Sequence, residues 1–304
     1  DPPRPHPVRT APPHIRPNPT PAPIPASGVV PWAMRICVLI PAGGSSRRYS
    51  GDDEALLGPR SKLDEDLGGR PVLQRAVELF IHHPDVARVI VGGPGADEPF
   101  EAFRLRHGDR LGLMGADLVR GGRTHRWETV RACLAHVPDD CTHVAVHDAA
   151  RPVTPPEVIE RVFTAGEHHP AVAPALPVGD SLKRIDPDVR ISAGADPLDA
   201  ILGAGGGPRL HAVAGAADRT NLWAVQTPQI FRRDLILEAY QDPDPDATDD
   251  LQQAERILAA RGEHAVVVQG DPRNVKLTIA ADLALVRAIG GFTAPHDRPT
   301  HKRF

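Results

Sequence analysis

From Arg35 onward, short apolar runs alternate with longer stretches in which apolar residues recur every three or four positions. The run Arg35-Ile36-Cys37-Val38-Leu39-Ile40 is apolar after its first residue and short, so it reads as a strand covered on both faces. Pro71 to His82 puts Val72, Leu73, Ala76, Val77 and Phe80 on one side of a helix. Further strands are predicted at Val86 to Val91, Thr142 to Val146, Ala171 to Leu176 and Ala265 to Gln269. Helices are predicted at Trp127 to His136, Pro155 to His168, Arg233 to Tyr240, Leu251 to Arg261 and Ile279 to Ile289. This alternation predicts an α/β fold: an open, mostly parallel sheet with helices on both faces and ligands above the strand ends.

Three segments break the rhythm. Residues 1–33 are rich in proline and bury too little to fold, so a disordered tail is expected, with the ordered part starting near Met34. A proline-rich ligand for a partner domain is the alternative reading of that tail. Between Gly179 and Ala224 lie two β-like pieces, Ser181 to Ile185 and Leu210 to Ala214, flanking a glycine-rich insert around Gly203 to Gly207. A projecting β-arm over 179–224 is expected, of the kind that embraces a second subunit, with the insert as a mobile loop. Residues 34–290 then form the folded domain and 291–304 a flexible C-terminal tail.

Composition narrows the classes. Aromatics are only 4% of the 304 residues, which fits tightly packed α/β layers better than a β-sandwich. A formal net charge of −4 argues against a general nucleic-acid binder. No apolar run approaches the roughly 20 residues that span a bilayer, so no membrane partner is expected. Cys37, Cys133 and Cys141 have neither a disulfide framework nor metal spacing, and the cytoplasm is the expected compartment. The 15 histidines are scattered, and pairs such as His82-His83 sit at helix ends.

The candidate chemistry begins at Val38-Leu39-Ile40-Pro41-Ala42-Gly43-Gly44-Ser45-Ser46-Arg47-Arg48. A strand that breaks into glycine, serine and arginine suits a phosphate-wrapping loop at a helix start. It lacks both the Gly-Lys-Ser/Thr ending of a P-loop and the three-glycine spacing of a dinucleotide fingerprint, and by itself could be a plain turn. His147-Asp148-Ala149-Ala150-Arg151-Pro152 follows the strand Val144-Ala145-Val146, so a carboxylate and a guanidinium stand at the mouth of the sheet. Asp148 is suited to Mg²⁺ on a polyphosphate and Arg151 to a second phosphate. An Asp–Arg bridge that merely caps the next helix is the alternative.

Gly121-Gly122-Arg123-Thr124-His125-Arg126-Trp127-Glu128-Thr129-Val130 is a glycine turn running into a helix, suited to reading the edge of a base. Farther on come Asp218-Arg219, Gln226-Thr227-Pro228-Gln229-Ile230-Phe231, Thr248-Asp249-Asp250 and Asn274-Val275-Lys276-Leu277-Thr278. Each could be a cap or a turn.

In this order, the motifs from Arg35 to about Ile289 resemble those of the 2-C-methyl-D-erythritol 4-phosphate cytidylyltransferase family of the non-mevalonate isoprenoid pathway. The resemblance is strongest at His147 to Pro152, Gln226 to Phe231 and Asn274 to Thr278. It implies a Rossmann-like nucleotidyltransferase sheet and Mg²⁺-dependent transfer of a cytidylyl group from CTP to a branched polyol phosphate, with release of pyrophosphate. By the same resemblance, Pro41, Ala42, Gly43, Gly44, Ser45 and Ser46 wrap the triphosphate, and Arg47 and Lys62 stabilise the transition state. Asp148 holds the metal or the nucleotide, while Gly121, Gly122 and Thr129 contact cytosine and ribose. Arg151, Thr227, Thr248 and Lys276 fall near the polyol phosphate, with Asp148 beside them and Lys276 orienting the attacking phosphate. Arg219 sits on the arm, and Arg219 and Thr227 are implied to complete the site of a partner in a homodimer.

The chain departs from the family pattern around Lys62. Residues Tyr49 to Arg60 lengthen the connection from Arg47, and Leu63-Asp64-Glu65-Asp66 replaces a glutamine and an aromatic. The acidic run is expected to face solvent, since it would oppose an anionic ligand in the pocket. Thr129 replaces the usual serine. Three other readings fit parts of the pattern: a sister cytidylyltransferase acting on ribitol 5-phosphate, a nucleotide-binding regulator without turnover, and a nicotinamide-dependent dehydrogenase. The last gives no reason for Asp148 to Arg151 or Asn274 to Lys276.

Overall fold

The computed structural model describes residues 34–44, 49, 61–191 and 210–293. The expectations for the 1–33 tail, for Ser45, Ser46 and Arg47, for the insert around 203–207 and for most of the 291–304 tail lie outside these residues.

Ten strands are described: β1 (Ile36–Pro41), β2 (Val86–Gly93), β3 (Asp117–Arg120), β4 (His143–Val146), β5 (Ala171–Pro177), β6 (Leu182–Ile191), β7 (Leu210–Ala217), β8 (Trp223–Val225), β9 (Gln229–Arg232) and β10 (Val266–Gln269). The main sheet runs β10-β5-β9-β4-β1-β2-β3, with β8 added to β5. Strand β1 pairs in parallel with β2 and β4, β2 with β3, and β10 with β5. Only β9, between β4 and β5, and β8 run against this direction. The carboxyl ends of β1, β2, β3 and β4 therefore open on one edge.

Among the described residues, seven α-helices accompany the sheet: α1 (Val72–Glu78), α2 (Asp97–Leu113), α3 (Arg126–Leu134), α4 (Pro156–Gly166), α5 (Arg233–Ala239), α6 (Asp250–Arg261) and α7 (Asp282–Gly290). Strand β1 shows why its sequence is continuously apolar. Ile36, Val38 and Ile40 pack into one core with α1, α2, α4 and α7, while Cys37 and Leu39 pack into a second core with α3, α5 and α6. Helices thus cover both faces, and the expected α/β class is observed.

Several elements differ from their predicted extents. Helix α1 gives way to tighter turns at Phe80 and His83 ahead of Pro84, which disfavours further helix. Helix α7 starts three residues late because the Asp282 carboxylate accepts the N–H groups of Thr278 (2.7 Å) and Ile279 (2.9 Å), holding them in a turn. Helix α2 and strand β3 were not predicted. Only His107 and Leu111 of α2 are buried, so its sequence carries little apolar periodicity. Strand β9 lies inside a stretch that reads as a polar motif. Strands β6 and β7 pair antiparallel as a separate two-stranded sheet, longer than the two predicted pieces.

The double coverage of β1 sets a stability expectation. Leu39→Ala, at a fully buried position, should cost about 2–5 kcal/mol in urea unfolding. Leu105→Ala, at a position 76% exposed on α2, should stay within about 0.5 kcal/mol. Equal effects would contradict this assignment of the core.

Candidate active site

A cavity of about 890 Å³ opens above the carboxyl ends of β1 and β4. Its back wall is the glycine turn after β1, tied down by Ala42 N–H donating to Gly92 O (2.7 Å). A Cβ on Gly43 would come within 2.7 Å of Gly93 O, so the turn can lie this close to β2 only as glycine.

The neighbouring wall is the turn into α3. A Cβ on Gly122 would fall 2.0 Å from the Glu128 Cβ. Thr129 Oγ1 accepts the Gly122 N–H (3.1 Å), and Glu128 Oε2 accepts those of Arg123 (2.8 Å) and Thr124 (2.9 Å). These backbone hydrogen bonds hold the Glu128 carboxyl below its ordinary range. Helix α3 therefore fixes the loop with its own side chains, and Arg123, Thr124 and His125 are presented to the cavity.

Asp148 stands at the centre. Its Oδ2 is 2.9 Å from Lys276 Nζ and 3.3 Å from Arg151 Nε, and its Oδ1 is 3.7 Å from Arg126 Nη2. Burial alone would raise its pKa, but the charges of Arg126, Lys276 and Arg151 reverse this and hold it well below the usual carboxylate range. Arg126 also reaches the fully buried Asp250 at 2.7 Å, and Tyr240 donates its hydroxyl to the other oxygen of Asp250 (2.5 Å). Burial would lower the Arg126 pKa; Asp250 and Asp148 raise it instead. A continuous line of charge thus runs from α6 across α3 to the loop before α7.

A second layer sets the backbone of Asp148. His147, fully buried and edge-on to Phe80 (4.9 Å between centroids), places Nε2 3.1 Å from Arg151 O. A carbonyl only accepts, so Nε2 carries the proton and Nδ1 accepts from the Thr227 hydroxyl at 3.2 Å. Thr227 Oγ1 in turn accepts the Asp148 N–H (3.0 Å). Asn274 closes the arrangement: its Nδ2 donates to Thr227 O (2.9 Å) and its backbone carbonyl accepts from Arg151 Nη1 (2.6 Å).

Of the residues proposed from sequence, Pro41, Ala42, Gly43, Gly44, Lys62, Gly122, Thr129, Asp148 and Lys276 all line the cavity. Gly121 lies just behind it, donating its N–H to Gly93 O (3.1 Å). Arg151 and Thr227 are buried beneath Asp148 and do not line the cavity. Thr248 is exposed beside α6 and bonds Gln252 Oε1. Arg219 is exposed beyond β7, away from the cavity of its own chain. Asp64 does not face open solvent as expected: it turns onto α2 and pairs with His107 and Arg106.

Arg126 and Asp250 carry no role in the sequence reading. Arg126 stands in the Arg-x-x-Thr step of the α3 motif and Asp250 ends Thr248-Asp249-Asp250, but their pairing joins distant segments. Asp148 is the one acid among the described lining residues. No group of three or more His, Cys, Asp or Glu among the described residues could hold a metal unaided.

The sequence profile of the 2-C-methyl-D-erythritol 4-phosphate cytidylyltransferase family matches residues 36–200 and 199–291. The chain belongs to this family. The cytidylyltransferase of Rhodococcus jostii is 37% identical over 257 residues, spanning 84% of this chain and 94% of its own length. That of Frankia casuarinae is 34% identical over 265 residues, or 86% of this chain and 84% of its own. The crystal structure of the Thermus thermophilus cytidylyltransferase superposes with a TM-score of 0.58 at 27% identity, over 85% of this chain and all of that one. Of the segments that carry the resemblance, the glycine turn after β1, the turn into α3, the Asp148 segment and the Lys276 segment line the cavity.

His147 makes the site sensitive to acid. Burial pushes its pKa down to about 4 from an ordinary 6.5. The unfolded chain therefore binds a proton that the folded chain refuses, and stability falls as pH drops from about 6.5 to about 4, by up to about 3 kcal/mol. Urea unfolding at pH 7 and pH 5 should show a shallower decline in His147→Gln than in the wild type. Equal slopes would contradict the assignment.

Proposed function

We propose that the chain transfers the cytidylyl group of CTP to 2-C-methyl-D-erythritol 4-phosphate, giving 4-diphosphocytidyl-2-C-methyl-D-erythritol and pyrophosphate for isoprenoid precursor synthesis. The reading rests on one observation above others: the cavity lining is drawn from the motifs of the matched family, with Lys276 and Asp148 meeting at 2.9 Å. An oxygen of the acceptor phosphate attacks the α-phosphorus, the bond to the bridging oxygen of the β-phosphate breaks, and pyrophosphate leaves. Such a reaction asks of the protein mainly positioning and neutralisation of charge on phosphoryl oxygens.

In this reading, the backbone of Pro41 to Ser46 wraps the triphosphate, and Arg47 and Lys62 stabilise the charge that builds on it. Gly121, Gly122 and Thr129 shape the cytosine and ribose site. Lys276 orients the acceptor phosphate, Arg151 and Thr227 support that position from beneath Asp148, and Thr248 stands near it. Mg²⁺ fits the cavity as an ion carried on the triphosphate, because one carboxylate with substrate phosphates is a usual donor set for it and Asp148 supplies that carboxylate. Bound there, the ion would offset phosphate charge.

A homodimer through the 179–224 arm is part of the proposal. Ile185, Val189, Ile191, Leu210 and Val213 are exposed on β6 and β7, an apolar surface that a second copy would cover, with Arg219 reaching the partner's cavity. Three buried, unpaired cysteines suit a reducing cytoplasm, and no described helix is long and apolar enough to cross a membrane.

Pyrophosphate release should require CTP, methylerythritol phosphate and Mg²⁺ together, stop with EDTA and resume on adding Mg²⁺. Lys276→Ala should lower kcat about 100- to 1,000-fold without loss of fold. Release with ribitol 5-phosphate but not methylerythritol phosphate would reassign the acceptor, and CTP binding with no release from any acceptor would favour a regulator.

A further inference from the structure

Lys62 opens a short turn of described residues that helps to set its position. Ser61 caps this 3₁₀ turn, Lys62–Asp64, accepting the Leu63 N–H at 3.3 Å. Three consecutive side chains of the turn go three ways. Lys62 lines the cavity and donates to Leu277 O (3.0 Å), Leu63 enters the core, and Asp64 turns onto α2.

On α2, Asp64 Oδ1 meets Nε2 of His107 at 2.8 Å, and its other oxygen pairs with Arg106. His107 is only 4% exposed and lies against the Phe103 ring (4.7 Å between centroids), so it is a fixed donor. Arg106 is 58% exposed, where an ion pair contributes little. Phe100 and Phe103 of the same helix close over Gly93, the residue against which the glycine turn packs. One helix therefore touches both sides of the cavity's anion end: the turn at Gly43 through Gly93, and the turn at Lys62 through Asp64. The acidic residue that departs from the family pattern beside Lys62 is the group that makes this attachment.

We propose that His107 is a positioning residue that acts through Asp64 to hold the Lys62 turn at the triphosphate end of the cavity. The proposal rests on the transition-state role given to Lys62, and the test separates the two. His107→Ala should lower kcat about ten- to a hundred-fold, with the KM for CTP little changed and thermal melting close to wild type. His107→Gln, which keeps a donor near the Nε2 position, should restore most of the rate. Should His107→Ala fail to fold, Asp64→Ala against Asp64→Asn poses the same question, with the amide expected to retain more activity.

Wild-type kcat in His107→Ala, or an equal loss in His107→Gln, would overturn the clasp. So would equal losses in the two Asp64 variants. If Lys62→Ala itself turned over normally, the role of Lys62 would fall, and the clasp with it. A dead Lys62→Ala beside a fully active His107→Ala would remove the clasp alone.

Discussion

The site depends on one buried carboxylate among three cations. Without Asp148, the charges of Lys276, Arg151 and Arg126 would face one another at the mouth of the sheet, where partial burial strengthens repulsion. With it, each guanidinium or ammonium has a fixed partner, and positive charge is presented toward the cavity. The geometry is set before a ligand arrives, which is the condition under which fixed charge is most effective on a developing phosphoryl charge.

The fold supplies what the carboxylate needs. Strand β4 ends beneath the cavity, so Asp148 emerges at its floor. Antiparallel β9 lies beside β4 and leads back to Thr227, whose hydroxyl accepts the Asp148 N–H. The loop before α7 brings Asn274 and Lys276 to the same place, and α6 brings Asp250 to Arg126. His147 remains neutral beneath this cluster, satisfying a carbonyl and a hydroxyl without adding a fourth cation.

Local features were readable from sequence. Strand β1 is evident because it is apolar on both faces, and Asp148 because it follows a buried strand. Lys276 and the glycine turns were recognised by motif order. Pairings between distant segments were not readable: nothing local to Arg126 announces Asp250, and nothing in Thr227 distinguishes a ligand contact from a prop beneath the floor. Helix α2 escaped prediction because most of its residues face solvent. Its role is carried by individual contacts from Phe100, Phe103 and His107, which leave no periodic signal.

The most direct test of Asp148 as the organising charge is single-turnover pyrophosphate release by Asp148→Asn at saturating CTP, Mg²⁺ and methylerythritol phosphate. The amide keeps the shape of the side chain and removes its charge. A rate about 100- to 1,000-fold below wild type, in a protein that still folds, is predicted. A rate within about threefold of wild type would contradict the account, since the three cations would then hold their places without the Asp148 charge.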